Sequence, residues 1–152
     1  MTTDSTTQRV HWDLEYDVHL GRTWGRFMGG LTEKKILANS CPECARVFVP
    51  PQAYCESCFV STDEWQELPQ EGEVEVFTVA WQGFRGGPKP PYAIAGIRLA
   101  GASTLLMHYV RGLDLSDPSA VSGQLKPGDR VRAVWAEERT GQILDITHFE
   151  KI

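Results

Sequence analysis

The residues with the clearest chemistry are four cysteines, which are all the cysteines of the 152-residue chain. They form two C-x-x-C pairs that are separated by ten residues. Each pair can hold one side of a metal ion, and two such pairs together close a tetrahedral thiolate site. The spacing therefore predicts one structural zinc per chain with no open position for catalysis, although spacing alone does not separate zinc from iron. The predicted ligands are Cys41, Cys44, Cys55 and Cys58.

Two other uses of these cysteines are open at this point. Two disulfides would suit a small secreted domain, and a single redox pair would suit a thioredoxin-like βαβ unit. Residues 1–7 lack the basic and apolar regions of a signal peptide, so we expect a cytoplasmic protein with reduced thiols. That environment favours the metal site.

The composition is that of an ordinary folded protein, and its charge argues against some partners. Hydrophobic residues make up 41% of the chain, and 20 acidic against 15 basic residues give a formal net charge of -5. Nucleic-acid binders usually carry clustered cations, so we expect no nucleic-acid partner. No apolar run approaches the roughly 18 residues that cross a bilayer, so we expect no membrane partner.

The segment ahead of the cysteines has an amphipathic pattern. Apolar residues recur at i, i+3, i+4 and i+7 from Trp24 to Leu31, which predicts a helix from Arg22 to about Lys34. The stripe has two interpretations, because it either packs on the chain's own core or docks on a partner chain. The candidate docking residues are Trp12, Trp24 and Phe27.

The chain divides into four predicted parts: a flexible arm at 1–19, a docking helix at 20–36, a zinc ribbon at 37–69 and an OB-fold domain at 70–152. A turn at 69–72 marks the boundary between the ribbon and the last part. Five strands with one longer connection predict a small, partly open OB-type barrel, so the expected fold is mainly β. The ribbon strands are predicted at 35–40, 46–49 and 59–68, and the barrel strands at 73–81, 92–99, 104–110, 130–136 and 143–149.

The search for catalytic residues finds none. The sequence contains no nucleophile elbow, dinucleotide fingerprint or phosphate loop, and its four histidines are scattered. The metal site uses every cysteine, so no thiol is left as a nucleophile. One loop, residues 83–91, places Arg85 and Lys89 among glycines and prolines, which suits either an anion site or a flexible hairpin loop.

The order of these features resembles a known family in which a rubredoxin-like zinc ribbon precedes an acyl-CoA-associated OB-fold, formerly a domain of unknown function. The resemblance covers roughly residues 20–152, and Ala45 departs from it where the family usually has glycine. The segment from Val49 to Tyr54 is also similar to the small subunits of thiolases for aromatic succinyl-CoA thioesters of the benzoylsuccinyl-CoA type. The matching features are Lys34-Lys35-Ile36-Leu37, the two cysteine pairs, Val49-Pro50-Pro51, Trp65, Gly72-x-Val74, Thr78, Tyr92-Ala93-Ile94-Ala95, Leu99-x-Gly101-Ala102, Lys126-Pro127-Gly128-x-x-Val131, Gly141 and His148-Phe149.

The resemblance implies a non-catalytic accessory subunit of an acyl-CoA thiolase or acyltransferase complex. The partner in this hetero-oligomer would be a thiolase-like catalytic subunit, or alternatively an acyl-CoA hydratase or aldolase, and it would supply the catalytic residues. A nucleic-acid-binding zinc-ribbon and OB protein is the alternative from another class. The resemblance also implies CoA or acyl-CoA at the subunit interface, with candidate phosphate contacts at Arg85, Lys89, Lys34 and Lys35.

Overall fold

The structure, a computed structural model, describes residues 16–152. In this part of the chain a helix comes first, followed by a three-stranded sheet and a closed five-stranded barrel. The prediction of a mainly β fold with an N-terminal helix is confirmed. None of the helices within the described residues is both long and apolar enough to cross a membrane.

Helix α1 (Gly21–Thr32) lies close to the predicted span from Arg22 to Lys34. It ends before Lys34 because this residue has a left-handed φ of 59°. The chain then turns back, and the backbone N–H of Lys35 donates to the carbonyl oxygen of Gly30 at 3.0 Å. Such a left-handed residue is a common way to end a helix.

The helix packs one apolar side on the chain's own core. Phe27 and Leu31 are fully buried within it, and burying such a side chain contributes about 1.5–3 kcal/mol to folding. Phe27 is therefore not exposed to a partner, which corrects its prediction as a docking residue. Trp24 is 41% exposed. Trp12, the third docking candidate, lies outside the described residues.

Three antiparallel strands form a small sheet in the order β2-β1-β3. They are β1 (Ile36–Ser40), β2 (Val47–Phe48) and β3 (Glu64–Leu68). The central strand β1 pairs with β3 over all five of its residues. The last strand is shorter than the predicted 59–68, because residues 59–63 complete the turn that carries the second cysteine pair.

Five strands form the barrel in the order β4-β5-β6-β8-β7. The prediction of a partly open barrel is wrong, because β7 also pairs with β4 and β6 pairs with β8 in parallel, so the barrel is closed. The third barrel connection contains a 3-10 turn (Pro118–Ala120) and the short helix α2 (Val121–Gln124). The strands are β4 (Glu71–Ala80), β5 (Tyr92–Leu99), β6 (Leu106–Arg111), β7 (Arg130–Trp135) and β8 (Ile146–Lys151).

Four of the five barrel strands begin and end within two residues of their predicted bounds, and two local predictions are wrong. Gly72 lies inside β4 rather than in a boundary turn, and a Cβ there would be 2.5 Å from the carbonyl oxygen of Arg98, which only glycine avoids. Residues 143–145 form a 3-10 turn rather than the start of a strand. They turn because the buried Asp145 carboxylate accepts hydrogen bonds from the backbone N–H groups of Thr140 and Gly141 at 3.0 and 2.8 Å.

The barrel interior and the ribbon sheet share one hydrophobic core. In β6 buried residues alternate with more exposed ones, as expected for a closed sheet, whereas β5 is buried or half-buried along its whole length. The buried barrel residues include Val74, Ala93, Ala95, Ile97, Leu99, Leu106, Val110, Val131, Ala133, Ile146 and Phe149. The same cluster contains Leu31 of the helix and Ile36, Ala38 and Leu68 of the sheet. The helix and the ribbon are therefore packed on the barrel.

Candidate metal centre

The four predicted ligands come together beside the ribbon sheet. Cys41 directly follows β1 and Cys44 precedes β2, whereas Cys55 and Cys58 lie between β2 and β3. The four Sγ atoms all lie within 4.8 Å of one another. Among residues 16–152 this is the only such group of three or more His, Cys, Asp or Glu side chains. The sequence spacing therefore predicted the grouping of these residues correctly.

The two cysteine pairs sit in matching backbone turns. The N–H of Ala45 donates to the carbonyl oxygen of Cys41, and the N–H of Phe59 donates to that of Cys55, both at 2.9 Å. Ala45 and Phe59 both adopt left-handed φ values, 58° and 57°. Glycine is the residue that usually occupies this region. Ala45 thus keeps the backbone geometry for which the family usually has glycine.

The sulfur spacing fits a metal and not a disulfide. The Sγ atoms of Cys44 and Cys55 are 3.7 Å apart, and two thiolates on a tetrahedral zinc with bonds of about 2.3 Å are about 3.8 Å apart. Bonded disulfide sulfurs are about 2.05 Å apart, and all four cysteines are free. The disulfide interpretation is therefore wrong, and the four-thiol donor set fits a structural zinc.

The electrostatics of the cluster also fit a divalent cation. The backbone N–H groups of Cys58 and Ser57 lower the pKa of the Cys55 thiol to about 7. A hydrogen bond with Cys44, together with burial, raises the pKa of Cys58 to about 12. Thiolates this close disfavour one another's ionised form, so a cation is needed for all four to ionise together. A metal held by these cysteines would crosslink the two turns and contribute to folding.

Two side chains that sequence reasoning missed hold the turns in place. Asn39 of β1 is buried, and its amide group donates to the carbonyl oxygens of Gln52 and Thr62 at 2.6 and 2.7 Å. Arg46 of the first turn forms an ion pair with Glu56 of the second turn at 2.7 Å. The burial of Asn39 makes its bonds the stronger constraint, because an exposed ion pair contributes only about 0–1 kcal/mol.

The structure does not bring the four candidate cations together. Arg85 and Lys89 lie in the loop before β5, whereas the backbone of Lys34 is hydrogen-bonded to Gln70, just before β4. The start of β4 pairs with the far end of β5, and an eight-residue strand spans roughly 23 Å. Lys35 is paired with Glu33 at 2.6 Å. One phosphate group therefore cannot contact all four cations.

An exposed apolar surface precedes and includes the first turn of α1. We call it the N-terminal apolar surface, and it consists of Tyr16, Val18, Leu20 and Trp24. Trp24 also contacts the buried Phe27 edge-to-face, with ring centroids 5.9 Å apart. Exposed apolar side chains that lie together often mark protein contacts, and these four all lie within residues 16–24. Of the three predicted docking residues, Trp24 is the one that the structure places on such a surface.

Two family models match the chain. Residues 28–64 match the model described as the ChsH2 rubredoxin-like zinc ribbon domain, and residues 65–136 match the ChsH2 C-terminal OB-fold domain. The predicted order of a zinc ribbon followed by an OB-fold is confirmed. No curated protein matches the chain.

Solved structures share the fold. One is the crystal structure of a protein of unknown function from the DUF35 family of Sulfolobus solfataricus, with 25% identity and a TM-score of 0.60, covering 86% of this chain and 84% of that one. Another is described as an Ltp2-ChsH2(DUF35) aldolase, with 18% identity and a TM-score of 0.59, covering 83% of this chain and 91% of that one. Because the second structure is only 18% identical to this chain, it shows a similarity of fold alone.

Proposed function

Because this chain belongs to the ChsH2 family, which combines a rubredoxin-like zinc ribbon with an OB-fold, we propose that it is an accessory subunit of an acyl-CoA enzyme complex. Its catalytic partner would be a thiolase-type enzyme. The observation that carries the proposal is that all four cysteines lie in one structural cluster. A thiolase-type reaction uses a cysteine nucleophile, which a partner would then have to supply.

In this proposal Cys41, Cys44, Cys55 and Cys58 hold a structural zinc, which crosslinks the ribbon and takes no part in the reaction. The N-terminal apolar surface docks on the partner. The helix leaves room for close contact, because a Cβ at Gly25 or Gly29 would meet nothing within 4 Å. Trp24 supplies the largest side chain of this surface, and large aromatic residues often dominate binding energy at interfaces.

The first experiment is affinity purification of the tagged chain from its native host, followed by mass spectrometry and metal analysis. We expect a stoichiometric thiolase-type enzyme and one zinc per chain. Trp24→Ala should reduce retention of the partner. Trp81→Ala is a matched control, because Trp81 is also 41% exposed but lies just after β4. Recovery of the chain without an acyl-CoA enzyme would contradict the proposal.

A second candidate partner is an aldolase, and one observation favours it: a structural neighbour is described as an Ltp2-ChsH2(DUF35) aldolase. The two reactions differ in their use of free thiol. Thiolysis of a 3-ketoacyl-CoA consumes one CoA thiol per carbon–carbon bond broken, whereas aldol cleavage of a 3-hydroxyacyl-CoA consumes none. Titration of free thiol during turnover by the purified complex therefore separates them. A hydratase would leave both the thiol and the carbon skeleton unchanged.

We also propose that CoA phosphates contact this chain, at Arg85 and Lys89 or, at the opposite end of the barrel, at Lys34 and Lys35. Loss of one exposed cation should weaken CoA binding to the complex by up to about five-fold. The measurement is a CoA titration of the complex with single alanine variants of the four residues. If all four variants bind CoA as the parent complex does, this part of the proposal is wrong.

A further inference from the structure

One end of the barrel contains a cleft of about 730 Å³. It lies where β5 begins and β6 ends, between the loop before β5, the segment that follows β6 and the 3-10 turn before β8. Small-molecule sites in proteins usually measure about 300–1,000 Å³. In OB-folds the ligand usually binds on the second and third strands and on the loops that precede the second and fifth strands. In this barrel these are β5, β6, the loop before β5 and the turn before β8. The cleft thus has both the size and the position of a ligand site.

The walls of the cleft are mostly apolar. Tyr92 of β5 and Tyr109 of β6 pack edge-to-face with ring centroids 5.7 Å apart. Both rings are carried by paired strands, so their positions are held by the sheet. Leu113 and Leu144 add to the apolar lining, and Leu144 is 53% exposed. A ligand with an apolar body would remove these side chains from water.

The charged residues of the cleft are all positive. Lys89 and Arg111 line it, and no acidic residue does. None of the ion pairs among the described residues involves either of them. A chain with a net charge of -5 therefore places two cations without an ion pair beside an apolar cleft, although Glu150 lies opposite Arg111 on the neighbouring strand.

A second cleft of similar size at the opposite end of the barrel provides a comparison. Its three arginines all form ion pairs, Arg98 with Glu75 and both Arg130 and Arg132 with Glu71. The carboxylates of these pairs, together with Glu73 in the lining, offset much of the positive charge, so this second cleft offers less to an anion. The two clefts therefore have similar sizes but differ in how their cations are paired with acidic residues.

We propose that the cleft at Tyr92 and Tyr109 binds an amphipathic organic anion, with its apolar body between the aromatic and leucine side chains and its acidic group near Lys89 and Arg111. An oligonucleotide is a poorer fit, because it needs a track of cations along its backbone. The inference concerns the chain by itself and does not rest on the proposed catalytic partner. Its failure would leave the proposed accessory-subunit role unaffected, although Lys89 is also one of the proposed CoA contacts.

The test uses the zinc-loaded chain and the fluorescent anion 8-anilinonaphthalene-1-sulfonate, which has an aromatic body and one sulfonate. We expect saturable binding that weakens by about five-fold in Lys89→Gln and in Arg111→Gln, because each change removes one exposed cation. Leu144→Ala should also weaken binding, by removing part of the apolar wall. Arg130→Gln, which removes the same charge at the opposite cleft, should bind as the parent chain does.

Displacement of the bound probe defines the ligand class. We expect 4-phenylbutyrate to displace it and the neutral 4-phenylbutanol to do so far more weakly, because only the acid can use the two cations. Displacement by benzoyl-CoA but not by free CoA would identify a thioester as the source of the anion and would support the same site. Equal binding by all four variants and the parent chain, equal displacement by the alcohol, or displacement by a short oligothymidylate would overturn the proposal.

Discussion

At the scale of single residues, the cysteine turns contain a conformational cost. Ala45 has a φ of 58°, and an L-residue in the left-handed region is disfavoured by about 1–2 kcal/mol. Glycine removes this cost but makes the unfolded chain more flexible, which by itself favours unfolding. Ala45 is nevertheless placed there because the hydrogen bond to Cys41 closes the turn.

We expect Ala45→Gly to stabilise the zinc-loaded chain by about 0.5–1 kcal/mol, because relief of the left-handed strain exceeds the gain in unfolded-state entropy. Urea unfolding at fixed zinc concentration measures the change. Ala100→Gly is the control, because Ala100 is exposed and has no positive φ. It should destabilise the chain, and the same sign for both variants would refute the argument.

His108 is a buried residue whose protonation state is set by its neighbours. Its Nδ1 accepts a hydrogen bond from the N–H of Tyr109 at 2.9 Å, so the proton lies on Nε2, which donates to the carbonyl oxygen of Ile143 at 3.2 Å. The ring also packs against Phe149. Burial lowers the pKa of His108 below its ordinary value.

This lowered pKa predicts acid sensitivity. An unfolded chain protonates His108 near pH 6.5, whereas the folded chain resists protonation. The associated stability is therefore complete above about pH 6.5 and is lost as the pH falls through the lower folded pKa. We expect His108→Gln to flatten the rise of unfolding free energy between acidic and neutral pH, measured by urea titration at several pH values. An unchanged slope in His108→Gln would contradict the prediction.

At the scale of elements, helix α1 is held by packing rather than by helix propensity. Four of its twelve residues are glycine, and each interior glycine costs about 1 kcal/mol relative to alanine. Burial of Phe27 and Leu31 on the core offsets this cost. The glycines also differ in their surroundings, because Gly25 is open while a Cβ at Gly30 would be 2.8 Å from the side chain of Leu37.

We therefore expect Gly25→Ala to stabilise the chain by about 1 kcal/mol, since the added methyl group meets nothing and the backbone loses unfolded-state freedom. Gly30→Ala should bring no such gain, because Leu37 and the Lys35 carbonyl have to shift. Thermal and urea unfolding of the two variants provide the comparison. Equal effects at both positions would show that packing around the helix does not decide the outcome.

At the scale of the whole molecule, direct hydrogen bonds attach the ribbon to the barrel. The Thr104 hydroxyl, between β5 and β6, accepts from the N–H of Val49 and donates to the carbonyl oxygen of Val49, both at 2.8 Å. Ser103 and Val47 are similarly joined by two hydrogen bonds of 2.8 and 3.0 Å. Together with the shared core, these contacts predict that the ribbon and the barrel unfold as one unit.

We expect Thr104→Val to destabilise the chain by about 1–3 kcal/mol, because it leaves the backbone groups of the buried Val49 without their partner. Thr78→Val is the matched control, since Thr78 is an exposed β4 residue and should change stability little. Calorimetry should show one transition at a lower temperature. Two separate transitions in the parent chain would contradict the single unit.

The amount that could be predicted differs between the levels of structure. The metal ligands were predictable because cysteine spacing and side-chain chemistry are local properties. The barrel strands were predictable because the alternation in β4 and the glycine- and proline-containing turns between the strands are also local. The docking role of Phe27 was not, because an amphipathic stripe looks the same whether it covers the chain's own core or a partner.

The sequence by itself determined the mainly β fold, the grouping of the four cysteines and the absence of a spare thiol. Only the tertiary structure decided which face of α1 is buried, that β7 closes the barrel on β4, and that Asp145 folds residues 143–145 into a turn. It also separated Lys34 and Lys35 from Lys89, and placed Lys89 with Arg111 beside two tyrosines. These features depend on contacts between residues far apart in the chain, which local patterns of charge and hydrophobicity do not encode.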